Sequence, residues 1–219
     1  TLHLLNKLGY KVKTLNNKSS GRAFISKGFL NQAKAVVNFN VTLFKNHIKI
    51  SSPLIGIEPS AILSFKDEYL RLAKDKDGAK SIAKFTYTVE EFIAKEFKEG
   101  YIKSTSFTMK PKRIKIHGHC HHKAIGNINA LKTILEIPEG FKADILPSGC
   151  CGMAGSFGYE KEHYGVSMKM GASLFSYVNR YKNENVIVAN GTSCRHQISD
   201  GTNVKSYHPI TILRQALED

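Results

Sequence analysis

Four cysteines, Cys120, Cys150, Cys151 and Cys194, lie in the second half of a 219-residue chain with the spacing Cys-x29-Cys-Cys-x42-Cys. Four thiols in a reducing setting point to metal ligation before disulfides, because soft thiolates favour zinc, copper(I) and iron–sulfur clusters. Adjacent cysteines fit one tetrahedral ion awkwardly and a multi-iron cluster better, since each sulfur can take a different iron. Gly149, Gly152, Gly155 and Gly158 surround the doublet, and their missing side chains let backbone N–H groups approach sulfur. Imidazoles stand alongside in the run His117-Gly118-His119-Cys120-His121-His122. With His163, Arg195 and His196, these are candidates to hydrogen-bond sulfide or to carry protons. Zinc, or free thiols buried as small apolar side chains, is the competing expectation.

A ligand set of this kind needs three remote loops to meet. The pattern predicts strands 113–118, 141–146 and 185–189, with helices 122–137, about 160–181 and 209–218, the last opened by Pro209. Glu160 is expected in the first turn of the middle helix. The first half reads as helix 2–8, strand 10–15, helix about 27–46, strand 53–58 and helix 65–74. Apolar strands alternating with helices predict an α/β fold of mainly parallel sheet flanked by helices, where ligand sites lie at the carboxyl ends of strands. Each cysteine follows one of the three strands of the second half.

The chain also resembles itself. Gly9, Lys11, Ser19, Ser20 and Gly21 align with Gly140, Lys142, Cys150, Cys151 and Gly152 at a constant offset of 131. The apolar runs near 53–57 and 186–189 follow at almost the same offset, ending in turns at Ala61 and Cys194. Two similar repeats are therefore expected: 1–75, with its ligands replaced by Ser19, Ser20 and Ala61, and 113–219, carrying the cysteines. Residues 76–112 would link them, with a helix capped by Thr88 and Glu91 and stopped at Gly100. The counterparts of strand 113–118 and Cys120 fall upstream of Thr1, so the chain is expected to start inside its first repeat, as a piece of a larger protein. Hydroxyls bind soft metals poorly, so the first repeat is expected to be metal-free. No base lies near Ser19 and Ser20 in sequence to make a hydrolase.

Three segments carry a family resemblance: His119-Cys120-His121-His122-Lys123, Gly149-Cys150-Cys151-Gly152-Met153-Ala154-Gly155-Ser156-Phe157-Gly158-Tyr159-Glu160, and Ser193-Cys194-Arg195-His196-Gln197-Ile198. Together they resemble the cysteine-rich CCG domain of heterodisulfide reductase subunits and of the glycolate oxidase iron–sulfur subunit. With Glu58-Pro59-Ser60 and Asp67-Glu68-Tyr69, the chain is most similar to the C-terminal part of bacterial FAD-linked oxidases of D-2-hydroxy acids such as lactate or glycolate. The resemblance implies an electron-transfer domain in which Cys120, Cys150, Cys151 and Cys194 hold a 4Fe-4S cluster, with zinc as the alternative. His119, His121, Arg195 and His196 would surround it. It further implies FAD in another domain, flavin-binding and ferredoxin-like domains as partners, and a quinone or other electron acceptor. Heterodisulfide reductases close the third segment with Cys-x-x-Cys, whereas this chain has Gln197, which argues against a noncubane cluster and against disulfide reduction.

The net charge is +14, and residues 1–110 carry +10 of it. Its lysines are scattered, without aromatic interleaving or a nucleic-acid module, so nucleic acid is not expected. The basic surplus is instead a candidate docking face, on other parts of the protein or on a membrane surface. No apolar run approaches the ~18 residues that span a bilayer. The expected setting is cytoplasmic, with peripheral attachment to the inner face of the membrane as the variant that the charge allows.

Overall fold

A computed structural model describes residues 1–218. In chain order the elements are α1 (Leu2–Lys7), α2 (Arg22–Ser26), α3 (Leu30–Phe44), β1 (Leu54–Gly56), α4 (Pro59–Ile62), α5 (Glu68–Leu72), α6 (Lys76–Lys84), β2 (Thr86–Thr88) and α7 (Val89–Lys98). There follow β3 (Lys112–His117), α8 (Cys120–Ile125), α9 (Asn129–Leu135), β4 (Phe141–Ile145), α10 (Tyr164–Tyr181), β5 (Val186–Ala189), α11 (Thr192–Thr202) and α12 (Pro209–Ala216). The fold is α/β, with two small parallel sheets flanked by helices. No helix among the described residues is long and apolar enough to cross a membrane.

The chain divides into two compact units, Thr14–Val89 and Thr1–Lys13 together with Glu90 onward. In the second of these, β3 lies between β4 and β5, all parallel. Its apolar strands suit burial on both faces: Ile114 and Ile116 of β3 and Ile187, Val188 and Ala189 of β5 are buried. On α10, Ser167, Gly171, Leu174 and Val178 are buried at spacings of four, three and four, one stripe of a helix laid on the sheet. Residues 1–13 belong here by packing: Leu4 and Leu5 are buried, and α1 lies on α12. The Tyr10 hydroxyl donates to Glu96 Oε2 at 2.8 Å while its ring meets Phe92 edge-on.

The other unit pairs β1 with β2 and packs α3 on the segment from Ile62 to Ile82. Its polar centre is Asn40, fully buried, which accepts from the Lys18 N–H at 3.1 Å and donates to Ser19 O and Tyr69 Oη, both at 2.9 Å. Tyr69 in turn donates to Ser20 O at 3.0 Å, and burial pushes its phenol up to about 12. These bonds hold the loop that bears the serine doublet. Asn40→Ala removes a fully buried amide and its bonds to the Lys18 N–H, Ser19 O and Tyr69 Oη, and is expected to cost about 1–3 kcal/mol, read as a lower urea midpoint.

Several expected elements are redrawn. Residues 10–15 are not a strand. Their counterpart β4 is a strand because it pairs with β3, and among the described residues 10–15 has no such ladder partner. The helix expected over 122–137 is broken into α8 and α9 at Gly126, whose extended backbone backs onto the His122 ring; a Cβ there would sit 2.2 Å from it. Helix 65–74 is replaced by α4, a 3-10 turn at Leu63–Lys66 and α5, and helix 27–46 by α2 and α3. The helix expected from about residue 160 begins at Tyr164, so Glu160 precedes it and pairs with His163 at 3.0 Å. Helices α6 and α11 lie outside the expected elements. The packing units also do not follow the repeat boundaries at 75 and 112. Even so, two glycines 131 apart share a left-handed backbone, Gly21 at φ +78° and Gly152 at φ +96°. Both back onto residues that are again 131 apart, Val36 and Ser167.

Candidate metal centre

The carboxyl ends of β3, β4 and β5 open onto one site. His117 is the last residue of β3, and Cys120 starts α8 three residues later. Ser148 to Cys151 follow β4, while Asn190 and then Cys194, in the first turn of α11, follow β5. The strand register and the short connections place these residues together, as expected for a parallel sheet.

Three side chains fasten the loops to one another. Asn190, fully buried, accepts the His119 N–H at 3.0 Å and bonds His122 Nδ1 at 2.9 Å, tying the Cys194 loop to the Cys120 loop. Lys123 Nζ donates to Ser148 O at 2.8 Å, tying α8 to the doublet loop. Gln197, buried on α11, donates to Ser167 Oγ at 2.9 Å and braces α10. The residue standing where heterodisulfide reductases have a further cysteine is thus a strut between helices. Lys123 closes one of the segments that carry the family resemblance but is given no role there, and Asn190 is not singled out at all, although a lone polar residue directly after an apolar strand is the signal that marks it.

The four thiols form a continuous chain: Cys120 meets Cys150, Cys150 meets Cys151, and Cys151 meets Cys194. Cys120 is exposed, Cys150 half-buried, and Cys151 and Cys194 are buried among Leu146, Met153 and Leu174. The electrostatic bias alternates along the chain. Cys150 is pulled far below the ordinary thiol range by the hydrogen bond from Cys120, then by that from Cys151 and by the Gly152 N–H, 3.3 Å from its Sγ. Cys194 is pulled down first by the bond from Cys151 and further by His117. Cys120 and Cys151 are pushed up, because they supply those protons, and burial adds to the effect. A site that stabilises anionic sulfur in apolar surroundings is suited to a soft cation or cluster.

The imidazoles sort differently from expectation. His117 is buried, with Nδ1 2.8 Å from Ser148 Oγ, and it groups with Cys151 and Cys194 so that one donor atom from each lies within 4.8 Å of the others. His119 caps α8, its Nδ1 accepting the His121 N–H at 3.1 Å. Arg195 donates to Ala189 O and Asn190 O, at 2.9 and 3.0 Å, and so fixes the end of β5. His196 bonds the Tyr159 hydroxyl at 2.8 Å, and His163 stacks on Phe157. The His121 ring is half-buried. In the other unit Ser20 and Ala61, counterparts of Cys151 and Cys194, line one cavity of about 190 Å³ with Asn40 and Glu58.

Comparison with known proteins supports the family resemblance. Residues 114–199 match CCG, the cysteine-rich domain. That stretch takes in β3 through α11 and every cysteine of the chain. Over 219 residues the chain is 27% identical to one of the component chains of the anaerobic glycerol-3-phosphate dehydrogenase of Escherichia coli (strain K12), covering 99% of this chain and 54% of that protein. It is 26% identical over 217 residues to the D-2-hydroxyglutarate dehydrogenase of Haemophilus influenzae, covering 98% of this chain and 21% of that protein. The D-2-hydroxyglutarate dehydrogenase of Escherichia coli (strain K12) is 25% identical over 221 residues. The chain therefore spans about half the length of the first relative and about a fifth of the D-2-hydroxyglutarate dehydrogenases. No solved structure matches it. The chain is thus similar to parts of dehydrogenases that are longer than it is.

Proposed function

We propose that this chain is an electron-transfer domain holding a 4Fe-4S cluster on Cys120, Cys150, Cys151 and Cys194, within a larger FAD-linked oxidoreductase that oxidises a D-2-hydroxy acid. The meeting of four thiols at the carboxyl ends of three parallel strands carries this reading. The donor set fits a cluster: soft ligands, two adjacent on one loop, in apolar surroundings with a backbone N–H on sulfur. Such a cluster takes up and passes on one electron at a time. The chain's own residues hold and insulate it. Asn190 and Lys123 fix the loops, and the apolar side chains around Cys151 and Cys194 exclude water. The relatives named for D-2-hydroxyglutarate support a hydroxy-acid substrate, and lactate and glycolate are members of the same chemical class.

FAD would sit in another domain, and flavin-binding and ferredoxin-like domains would be the partners, with a quinone or other acceptor downstream. The basic first half is proposed as the docking face, on those domains or peripherally on the inner face of the membrane; association unaffected by salt would count against it. We also propose that the two halves arose by duplication, 1–75 and 113–219 joined by 76–112, with the first metal-free. The competing function is a docking module stabilised by zinc or by no metal. Anaerobic purification followed by iron, sulfide and zinc analysis separates the two. Iron and sulfide are expected in equal amounts, about four of each per chain, whereas one zinc without sulfide would overturn the cluster.

A further inference from the structure

We infer that His117 is itself a ligand of the centre, binding through Nε2 in the place that the exposed Cys120 would otherwise take; this rests on the cluster reading and changes one ligand of it. Five donors surround the site, and a cubane cluster needs four. Burial divides them. Cys120 lies at the outer end of the thiol chain and is exposed, while His117 is 1% exposed and lies at its inner end against Cys194. One donor atom each from His117, Cys151 and Cys194 fall within 4.8 Å of one another, a grouping that includes neither Cys120 nor Cys150; Cys150 adjoins it through its bond with Cys151.

The ring is also held as a ligand imidazole is held. Ser148 Oγ, itself on a buried residue, lies 2.8 Å from Nδ1. With the proton on Nδ1 the serine oxygen accepts it, the ring orientation is set, and Nε2 keeps the lone pair that a metal would take. A partner on the remote nitrogen is the usual arrangement for a metal-bound histidine. The backbone adds a second restraint, since β3 pairs His117 with Ala189 of β5. His119, by contrast, spends Nδ1 on capping α8, and His196 on Tyr159. Exchanging a thiolate for a neutral imidazole leaves the cluster one charge less negative and raises its reduction potential.

The test uses the full 219-residue chain, purified anaerobically and reduced. Pulsed EPR of the wild type should show a strongly coupled nitrogen that changes to the 15N pattern after growth on 15N-histidine. Cys120→Ser should keep iron, sulfide and that coupling. His117→Cys should keep iron and sulfide, lose the strong nitrogen coupling and shift the midpoint potential downward. A wild-type cluster without strongly coupled nitrogen overturns the assignment and needs no variant to fold. So does loss of the cluster in Cys120→Ser with an unchanged nitrogen signal in His117→Cys. Absence of iron and sulfide from the wild type would instead overturn the cluster reading beneath it.

Discussion

Cys150→Ser is expected to lower the iron and sulfide content of anaerobically purified protein by more than about tenfold, the loss that even outer contacts of a metal site can cause. Cys150 is the thiol through which the others connect: it accepts from Cys120 and Cys151 and receives the Gly152 N–H at 3.3 Å. Serine is nearly isosteric, so the loop should keep its path while the soft donor disappears. Ser20→Ala is the matched control at the same repeat position. It removes an oxygen that accepts the Arg22 N–H at 3.3 Å, a change of about 1 kcal/mol, and should leave iron untouched. Equal iron loss in both variants would defeat the assignment of the cluster to the second half.

The second large effect is on the backbone beneath the doublet. Gly152→Ala is expected to destabilise the protein by about 3 kcal/mol or more. Its φ of +96° costs an L-residue about 1–2 kcal/mol. A Cβ would also stand 2.1 Å from Ser167 O on α10, a backbone atom that cannot rotate away, and such overpacking adds about 1–3 kcal/mol. Gly149→Ala, three residues earlier, meets nothing within 4 Å and should stay within about 0.5 kcal/mol. Urea midpoints of the two variants decide the matter, and coincident midpoints would refute the packing proposed for the loop.

Legibility from sequence varies with the kind of information. The strands are readable because β5 is a short apolar run, and in β3 and β4 buried apolar residues alternate with charged ones, patterns local to the strand itself. The stop at Gly100 is readable because its left-handed backbone, φ +82°, is what glycine is used for. Residues 10–15 mislead because strand formation needs a partner, and pairing is not a local property. The break at Gly126 is hidden because it depends on where the His122 ring lies. The role of Gln197 is equally invisible, since its bond to Ser167 spans 30 residues.

Residue chemistry and spacing by themselves determined that four soft donors follow three strand ends, that the second half resembles a cysteine-rich domain, and that the doublet is bounded by glycines. The tertiary structure alone decided which imidazole joins the thiols. Adjacency to cysteines along the chain favours His119, His121, Arg195 and His196. Folding turned His119 to a helix end, Arg195 to the carbonyls of β5 and His196 to Tyr159, and left His117 facing Cys194. Proximity along a chain does not fix direction in space: a side chain's heading is set by the strand or helix turn it occupies and by the partner that satisfies its polar atoms once water is gone.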